Sequence, residues 1–239
     1  MINVGIIGTG VMGAGHARFI RDHIPEAKVV GLSDVDLTKV EKLAQELKTV
    51  LISTSNPEEL MNDSRVDAVI IASPDPLHVA HLNLAIASKK PILCEKPIAT
   101  TLEDARDITS KIRAYEGQAG KKMINFGFMR RFDPSYIELK KEIQSGKYGK
   151  VLHLRCISRN VSSPTATTAM LLTNVAVHEV DIARWLLGEE FVSMSTVAMK
   201  RSKYANDQLQ DPLTVLAHTE SGVLMTVDIA ANSTYGYEV

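Results

Sequence analysis

The chain has few of the features that mark metal-binding, secreted or membrane proteins. Only two cysteines, Cys94 and Cys156, occur among 239 residues, and they show neither metal-ligand spacing nor a disulfide framework, which favours a reducing compartment. No apolar run approaches the roughly 20 residues that span a bilayer. The N-terminus leads directly into a strand pattern rather than into a signal peptide. We therefore expect a soluble, cytoplasmic protein without a metal site.

An excess of charge of one sign is also missing. The 27 Lys and Arg residues are balanced by 28 Asp and Glu residues, for a net charge of −1, so the chain lacks the electrostatic footprint of a protein that binds nucleic acid or an anionic membrane. We expect neither as a partner. Hydrophobic residues make up 45% of the sequence, which is sufficient for a packed core.

A short apolar run near the N-terminus ends in glycines spaced G-x-G-x-x-G, and a helical pattern follows. This is the dinucleotide-binding fingerprint. Gly8 lets the chain turn out of the strand, Gly10 lets a pyrophosphate approach the backbone, and Gly13 lets the helix pack close to the strand. The pyrophosphate would lie on N–H groups at the helix N-terminus, where Val11 and Met12 are found.

Asp34 ends a second strand pattern and predicts which cofactor is bound. It lies about 20 residues past the glycines, where a carboxylate accepts hydrogen bonds from the adenosine ribose hydroxyls. The same carboxylate would repel a 2′-phosphate, so we predict NAD rather than NADP. The alternative is that Asp34 only caps the next helix, a role that Asp36 could fill instead.

Strand and helix patterns alternate over residues 1–126 and predict an NAD-binding Rossmann domain, an α/β fold with a doubly wound parallel sheet. Ligands of such sheets bind outside the carboxyl ends of the strands. Several cofactor-binding candidates follow strands and are expected to converge at that edge. They are Asp34 and the glycine loop, then Ser73, Pro74 and His78 after the fourth strand, and Glu95 and Lys96 after the fifth. The third strand is predicted at residues 50–52.

After residue 126 the pattern changes and predicts an α+β domain over residues 127–239, with a large open, mostly antiparallel sheet. Helices are predicted at 134–145 and 174–187, and strands at 150–159, 191–200, 211–219 and 223–232. The stretches 160–170 and 201–210 have the composition of loops.

His178 lies four residues after Asn174 on the predicted helix, so both side chains lie on one helical face. A neutral histidine near pH 7 is a suitable general base for a hydroxyl proton. The alternative is a packed histidine satisfied by Asp181, with Asn174 only capping the helix. Lys96 either points into the cofactor cleft or is an ordinary surface lysine.

Other charged and imidazole side chains have weaker patterns. Arg130 and Arg131 could hold an anion, although a solvated pair is the commoner arrangement. Five further histidines are interpreted as structural or surface residues: His16, His23, His81, His153 and His218.

Three features together resemble the family of glucose–fructose oxidoreductase and inositol dehydrogenase. They are the N-terminal G-x-G-x-x-G, the tripeptide Glu95-Lys96-Pro97, and the helix with His178-Glu179-Val180-Asp181. The tripeptide is much more specific than the glycine pattern, which many dinucleotide enzymes share. The segments 127–133, 159–160 and 235–238 are most similar to myo-inositol 2-dehydrogenases, and the resemblance covers the whole chain.

The resemblance implies NAD-dependent hydride transfer from a secondary hydroxyl of a cyclic polyol, myo-inositol or a related compound, to give the ketone. Lys96 and His178 would be the catalytic pair, with Asn174 in the catalytic set. The implied polyol-binding residues are Arg130, Asn160, Asn174, His178, Tyr235 and Tyr237. A cis Lys96–Pro97 bond is also implied, as are homo-oligomers, dimers or tetramers, built through the open sheet.

The chain departs from the family pattern in two places. Asn174 stands where these dehydrogenases usually carry aspartate, and an amide cannot balance a positive charge on His178. Family members are also longer, and this chain ends inside a strand expected to begin near Tyr235, so we expect it to be C-terminally incomplete. A dehydrogenase or reductase of another sugar and a non-catalytic NAD(H)-binding sensor remain alternative interpretations.

Overall fold

A computed structural model describes residues 1–238 of the chain. The chain divides into two compact units, Met1–Gly127 and Phe128–Val239. Among the described residues, no helix is both long and apolar enough to cross a membrane.

The first unit is a Rossmann fold, as predicted. Its strands are β1 (Ile2–Ile7), β2 (Ala27–Ser33), β3 (Ile52–Thr54), β4 (Ala68–Ile71), β5 (Ile92–Cys94) and β6 (Ile124–Phe126). Its helices are α1 (Val11–His23), α2 (Leu37–Leu47), α3 (Pro57–Asn62), α4 (His78–Ala87) and α5 (Leu102–Ala119), with a 3-10 turn at Asp75–Leu77. The strands are all parallel, in the order β3-β2-β1-β4-β5-β6.

Consecutive residues of the central strands pack on opposite faces of this sheet. Ile6 belongs to a buried cluster with α1 and α2, whereas Ile7 belongs to a cluster with α3, α4 and α5. The pairs Val29 and Val30, and Ile70 and Ile71, divide in the same way. Because strand side chains alternate between faces and helices cover both faces, the strands are apolar throughout.

The predicted position of the third strand is wrong by two residues. The prediction covered 50–52, but β3 runs over Ile52–Thr54 and pairs Gly31 with Ile52 and Ser33 with Thr54. Leu51 is 64% exposed. An edge strand pairs on one side only, so polar residues extend it more readily than they would a central strand.

Up to residue 238, the second unit contains a four-stranded sheet and three helices. Its strands are β7 (His153–Arg159), β8 (Phe191–Ala198), β9 (Leu213–Thr219) and β10 (Leu224–Ala230). Its helices are α6 (Pro134–Ser145), α7 (Thr168–Met170) and α8 (Val177–Leu187), with a 3-10 turn at Met129–Phe132 and a π-helical segment at Leu171–Ala176. The strand order is β7-β10-β9-β8, antiparallel except for the parallel pair β7 and β10.

The helical segment that carries Asn174 begins earlier than predicted. It runs without a break from Thr168 through the π-helical residues into α8, and the side chain of Thr167 caps it by accepting a bond from the Met170 N–H at 3.3 Å. The capping interpretation of Asn174 is therefore wrong, because the residue lies inside the helical segment. Thr167 was missed as the helix start because the stretch 160–170 has a loop-like composition.

The strand expected near Tyr235 is not formed within the described residues. There, the segment pairs only through an isolated antiparallel bridge between Arg159 and Glu238.

Candidate functional site

The glycine loop in the first unit leaves space for a phosphate group. Gly8 has a φ of +91°, and a Cβ there would lie 2.4 Å from the Ala72 carbonyl oxygen. A Cβ on Gly13 would lie 1.8 Å from the Gly8 carbonyl oxygen, whereas a Cβ on Gly10 would meet no atom within 4 Å. Packing within the protein therefore requires glycine at positions 8 and 13, while position 10 faces open space. That is the arrangement a dinucleotide pyrophosphate needs.

The N-terminus of α1 is suited to an anion. Gly10 is its N-cap, no side chain caps it, and its first turn contains no acidic residue. Val11 and Met12 at its start are 92% and 54% exposed. The partial positive charge of the first turn and its N–H groups therefore meet no competing carboxylate from the helix itself.

A cleft of about 440 Å³ lies beside this helix end. Its lining includes the predicted residues Gly8, Gly10, Val11, Met12, Asp34, Ser73 and Pro74. Candidates from three separate parts of the sequence, the glycine loop, Asp34 and Ser73-Pro74, thus converge at the carboxyl edge of the sheet. Sequence reasoning missed nine other lining residues, among them Val35, Lys39, Leu77 and His81. These four lie within five residues of a predicted residue in the chain, and that proximity is the signal that could have found them.

Asp34 is held in the cleft by its neighbours. One carboxylate oxygen accepts bonds from the Thr9 N–H at 2.7 Å and the Thr9 hydroxyl at 3.0 Å, and the other accepts from the Asp36 N–H at 3.0 Å. Partial burial opposes ionisation, but these bonds outweigh it and lower the pKa of Asp34. Asp36, not Asp34, caps α2, by accepting from the N–H groups of Thr38 and Lys39. The capping alternative for Asp34 is therefore wrong.

The Glu95-Lys96-Pro97 tripeptide follows β5, and its Lys96–Pro97 bond is cis, as expected. Lys96 is half-buried. The Glu95 carboxylate lies 2.7 Å from Nε2 of His16 on α1. His16 therefore has a specific partner, which no local pattern indicated because 79 residues separate the two. Cofactor contacts of Glu95 and Lys96 stay a prediction, and neither residue lines the cleft.

Two histidines of α4 occupy positions different from those expected. His78, a predicted cofactor residue, is 0% exposed, and its ring nitrogens lie 2.6 Å from the Pro97 carbonyl oxygen and 2.8 Å from the Ser73 carbonyl oxygen. His81 lines the cleft, with Nδ1 2.9 Å from the Ser73 hydroxyl. Burial, and next the neighbouring His78, lower the pKa of His81, so its ring is neutral at pH 7.

In the second unit, His178 is half-buried on α8. Its ring lies 6.2 Å from the Phe128 ring, centroid to centroid, in a nearly perpendicular arrangement of 79°. Both carboxylate oxygens of Asp181 accept bonds from Arg131, at 2.7 and 2.5 Å. Arg131 therefore holds the Asp181 carboxylate in a bidentate pair.

Arg130 is buried beside the same helix, which contradicts the solvated-pair interpretation. Its guanidinium bonds to the Glu179 carboxylate, and the two side chains are 10% and 3% exposed. Burial opposes the charge on Arg130, but the Glu179 carboxylate outweighs this and raises the Arg130 pKa. Burial, and next Glu179, raise the pKa of the Cys156 thiol to about 12, so that thiol stays protonated and is no nucleophile.

Three of the six predicted polyol-binding residues of the second unit line two cavities. Asn160 and Asn174 line one of about 380 Å³, together with Ser162, Ser163 and Thr165. Tyr235 lines another of about 350 Å³. Tyr235 and Tyr237 are 74% and 64% exposed. The hydroxyl residues at 162–165 were missed because they lie in a segment read only as a loop.

Comparison with known proteins identifies relatives for both units. Residues 2–120 match the sequence family described as "Oxidoreductase family, NAD-binding Rossmann fold", and residues 136–239 match the "GFO/IDH/MocA C-terminal domain". Inositol 2-dehydrogenase 2 of Saccharopolyspora erythraea is 39% identical over 239 residues, which are 100% of this chain and 69% of that protein.

Solved structures show the same similarity. Myo-inositol dehydrogenase of Lactobacillus casei, in complex with NAD(H) and myo-inositol, superposes with a TM-score of 0.93 at 31% identity over 100% of this chain and 70% of its own. Scyllo-inositol dehydrogenase of the same organism, with NAD(H) and scyllo-inositol bound, gives a TM-score of 0.89 at 25% identity over 100% of this chain and 72% of its own.

Proposed function

Because this chain belongs to the Gfo/Idh/MocA oxidoreductase family, we propose that it is an NAD-dependent dehydrogenase of a cyclic polyol. The substrate is myo-inositol or a close relative, and a secondary hydroxyl of it is oxidised to the ketone. The observation that carries the proposal is the glycine cradle with open space at Gly10 beside the Asp34 carboxylate. The named activities of the similar proteins support the substrate class.

The residues of the first unit fit NAD. The α1 N-terminus and the open space at Gly10 suit a pyrophosphate. The Asp34 carboxylate lines the cleft, and we propose that it accepts hydrogen bonds from the ribose hydroxyls. NAD supplies the hydride acceptor when bound. The ionised Asp34 carboxylate disfavours a 2′-phosphate at the same place, because like charges repel.

Two side chains are proposed for the proton chemistry. His178 accepts the hydroxyl proton as a general base, since a neutral imidazole near pH 7 is matched to that task. Lys96 donates a hydrogen bond that stabilises negative charge developing on a substrate oxygen. The family tripeptide and the helix motif support both roles.

An uncharged polyol must be recognised through hydrogen bonds. Asn160 and Asn174 line one cavity with three hydroxyl side chains, and amides and hydroxyls can both donate to and accept from a ring hydroxyl. A site built in this way rejects analogues with a misplaced hydroxyl, because its own polar groups are then left unpaired. Arg130, Tyr235 and Tyr237 remain proposed substrate contacts, with the charge of Arg130 neutralised by Glu179.

The protein is further proposed to act in the cytoplasm as a homo-oligomer, a dimer or tetramer, assembled through the open sheet of the second unit. One apolar residue of β8 supports this surface: Val197 is 47% exposed and lies opposite Thr214, on the face of the sheet away from the buried Val215 and Ala217. Both cysteines are free thiols, as in reducing compartments. Light scattering on the purified protein tests the assembly, and a monomeric mass contradicts it.

The activity is tested by NADH formation, followed by absorbance, with NAD and myo-inositol at mildly alkaline pH. The protein is compared with an Asn174→Asp variant. We expect turnover by both proteins and a faster rate with the aspartate, which can balance the imidazolium formed on His178. Turnover by the aspartate variant alone would indicate that Asn174 has made this protein a poor inositol dehydrogenase or has redirected it to another substrate.

A non-catalytic NAD(H)-binding sensor is the second candidate, and Asn174 is the observation that favours it. An amide cannot supply the charge that the usual aspartate supplies. NADH binding without turnover over a panel of inositols and linear polyols, even after Asn174→Asp, would support the sensor and contradict the dehydrogenase.

A further inference from the structure

His78 is a residue whose surroundings do not fit the cofactor contact expected of it. Its imidazole is 0% exposed and does not line the cleft that contains the glycine loop. We propose that His78 is a positioning residue that ties the loop after β4 to the loop after β5, and so holds Ser73 and Lys96 in place. The proposal rests on the proposed function, because Lys96 is the group whose placement affects turnover.

The fold explains why such a link is needed. β4 and β5 are parallel neighbours, and their register ends with Ile71 opposite Cys94. The last backbone bond between them, within residues 1–238, runs from the Glu95 N–H to the Ile71 carbonyl at 2.9 Å. Beyond that bond the chain leaves the sheet on both sides, toward Ser73 on one and Lys96 on the other. Those are the segments that carry cofactor and catalytic candidates.

The ring of His78 bridges this gap. It lies at the start of α4, with Nε2 2.8 Å from the Ser73 carbonyl oxygen and Nδ1 2.6 Å from the Pro97 carbonyl oxygen. Carbonyl oxygens only accept hydrogen bonds, so a ring nitrogen of His78 bonds to the carbonyl that faces it through a proton that this nitrogen carries. Two acceptors on opposite sides of a buried ring fix its plane, and the ring in turn fixes the separation of the two carbonyls.

The link continues to the cleft through Ser73. The Ser73 carbonyl bonds to His78, and its hydroxyl lies 2.9 Å from Nδ1 of His81, which lines the cleft. A shift of the His78 ring therefore moves backbone next to the cofactor cleft on one side and backbone next to Lys96 on the other. Small displacements of this kind are costly because catalysis depends on sub-ångström placement.

A pair of amide variants separates the two bonds. In His78→Asn the amide nitrogen lies roughly where Nδ1 lies, so the variant keeps a donor toward the Pro97 carbonyl. In His78→Gln the amide nitrogen lies roughly where Nε2 lies, so this variant keeps a donor toward the Ser73 carbonyl. We expect His78→Gln to lower kcat for polyol oxidation at least about tenfold while NADH affinity changes less than about threefold. We expect the reverse from His78→Asn, with weaker NADH binding in fluorescence titrations and a smaller change in kcat.

Asn83→Ala is the matched control on the same helix. Among residues 1–238, the Asn83 side chain donates only to the Val79 carbonyl within α4, so its loss perturbs the helix without touching either loop. We expect kcat and NADH affinity near those of the unchanged protein. Equal losses of kcat and binding in both His78 variants, in proportion to lost stability, would show that His78 only packs the core and would overturn the proposal.

Two readouts do not depend on turnover. Hydrogen exchange measured by mass spectrometry is expected to be faster over residues 95–99 in His78→Gln but not in Asn83→Ala. In the unchanged protein, proton NMR is expected to show a slowly exchanging His78 ring N–H, and rapid exchange would overturn the proposal even if neither variant folds. If the unchanged protein binds NADH but oxidises no polyol, the proposed function fails, while these readouts still decide the role of His78.

Discussion

The two units hold their candidate residues by different means. In the first unit the cleft is built mainly from backbone: glycines at positions 8, 10 and 13, a helix N-terminus, and a carboxylate held by N–H groups. In the second unit the helix with His178 is held by side chains, through the buried pair Arg130–Glu179 and the bidentate pair Arg131–Asp181.

The two units also differ in how deeply their ion pairs are buried. The Arg18, Arg21 and Glu46 cluster of the first unit lies at the surface, with side chains 35–49% exposed, whereas Arg130 and Glu179 are almost fully buried. Exposed pairs contribute little to stability because water screens them, but a buried charge that loses its partner is strongly destabilising. The second unit should therefore be more sensitive to single charge changes.

The largest expected effect is from Glu179→Ala, which leaves the Arg130 guanidinium buried without its partner. We expect the free energy of unfolding to fall by about 3 kcal/mol or more, measured by urea denaturation. Glu46→Ala, the control in the exposed cluster, is expected to change it little. A similar small change in both variants would show that burial does not distinguish the two units.

Gly13→Ala is the corresponding change in the first unit, where a Cβ would lie 1.8 Å from the Gly8 carbonyl oxygen. We expect a loss of about 1–3 kcal/mol in stability and at least tenfold weaker NADH binding, because the helix must move off the glycine loop. The control is Gly15→Ala on the same helix, where a Cβ would meet no atom within 4 Å. This variant is expected to raise the free energy of unfolding by about 0.5 kcal/mol. Equal effects would contradict the close-packing role of Gly13.

Asp34→Asn tests whether the carboxylate selects the cofactor. Removing the charge removes its repulsion of a 2′-phosphate, so we expect the ratio of kcat/KM for NAD to that for NADP to fall by about tenfold. The amide oxygen can still accept from the Thr9 N–H, which limits the structural change. A preference of the unchanged protein for NADP would contradict this role of Asp34.

The smallest expected effect concerns pH and His81. Its pKa is lowered from the ordinary 6.5, so below pH 6.5 the unfolded chain binds a proton that the folded protein does not. The free energy of unfolding therefore falls as pH decreases below 6.5, until the folded pKa is reached. His81→Gln is expected to weaken that pH dependence between pH 7.5 and 5.5, in urea denaturation at each pH. An unchanged slope would show that His81 does not cause it.

Local patterns in the sequence were sufficient for much of the first unit. The apolar strands, the glycine spacing and the position of Asp34 each follow from short-range chemistry, since a buried parallel strand, a tight turn and a phosphate cradle need particular residues at fixed spacing. Membership of the family, and with it NAD as cofactor, could be inferred from those motifs together with Glu95-Lys96-Pro97 and the His178 helix.

Only the tertiary structure decided which distant side chains meet. His16 pairs with Glu95, the His78 ring contacts the backbone carbonyls of Ser73 and Pro97, and Glu179 forms an ion pair with Arg130. These partners are separated by 5 to 79 residues. The sequence by itself determined most of the elements and the cofactor fingerprint because those depend on neighbours along the chain. Buried polar groups take whichever partner the packing of strands and helices brings within about 3 Å, and no periodicity encodes that choice.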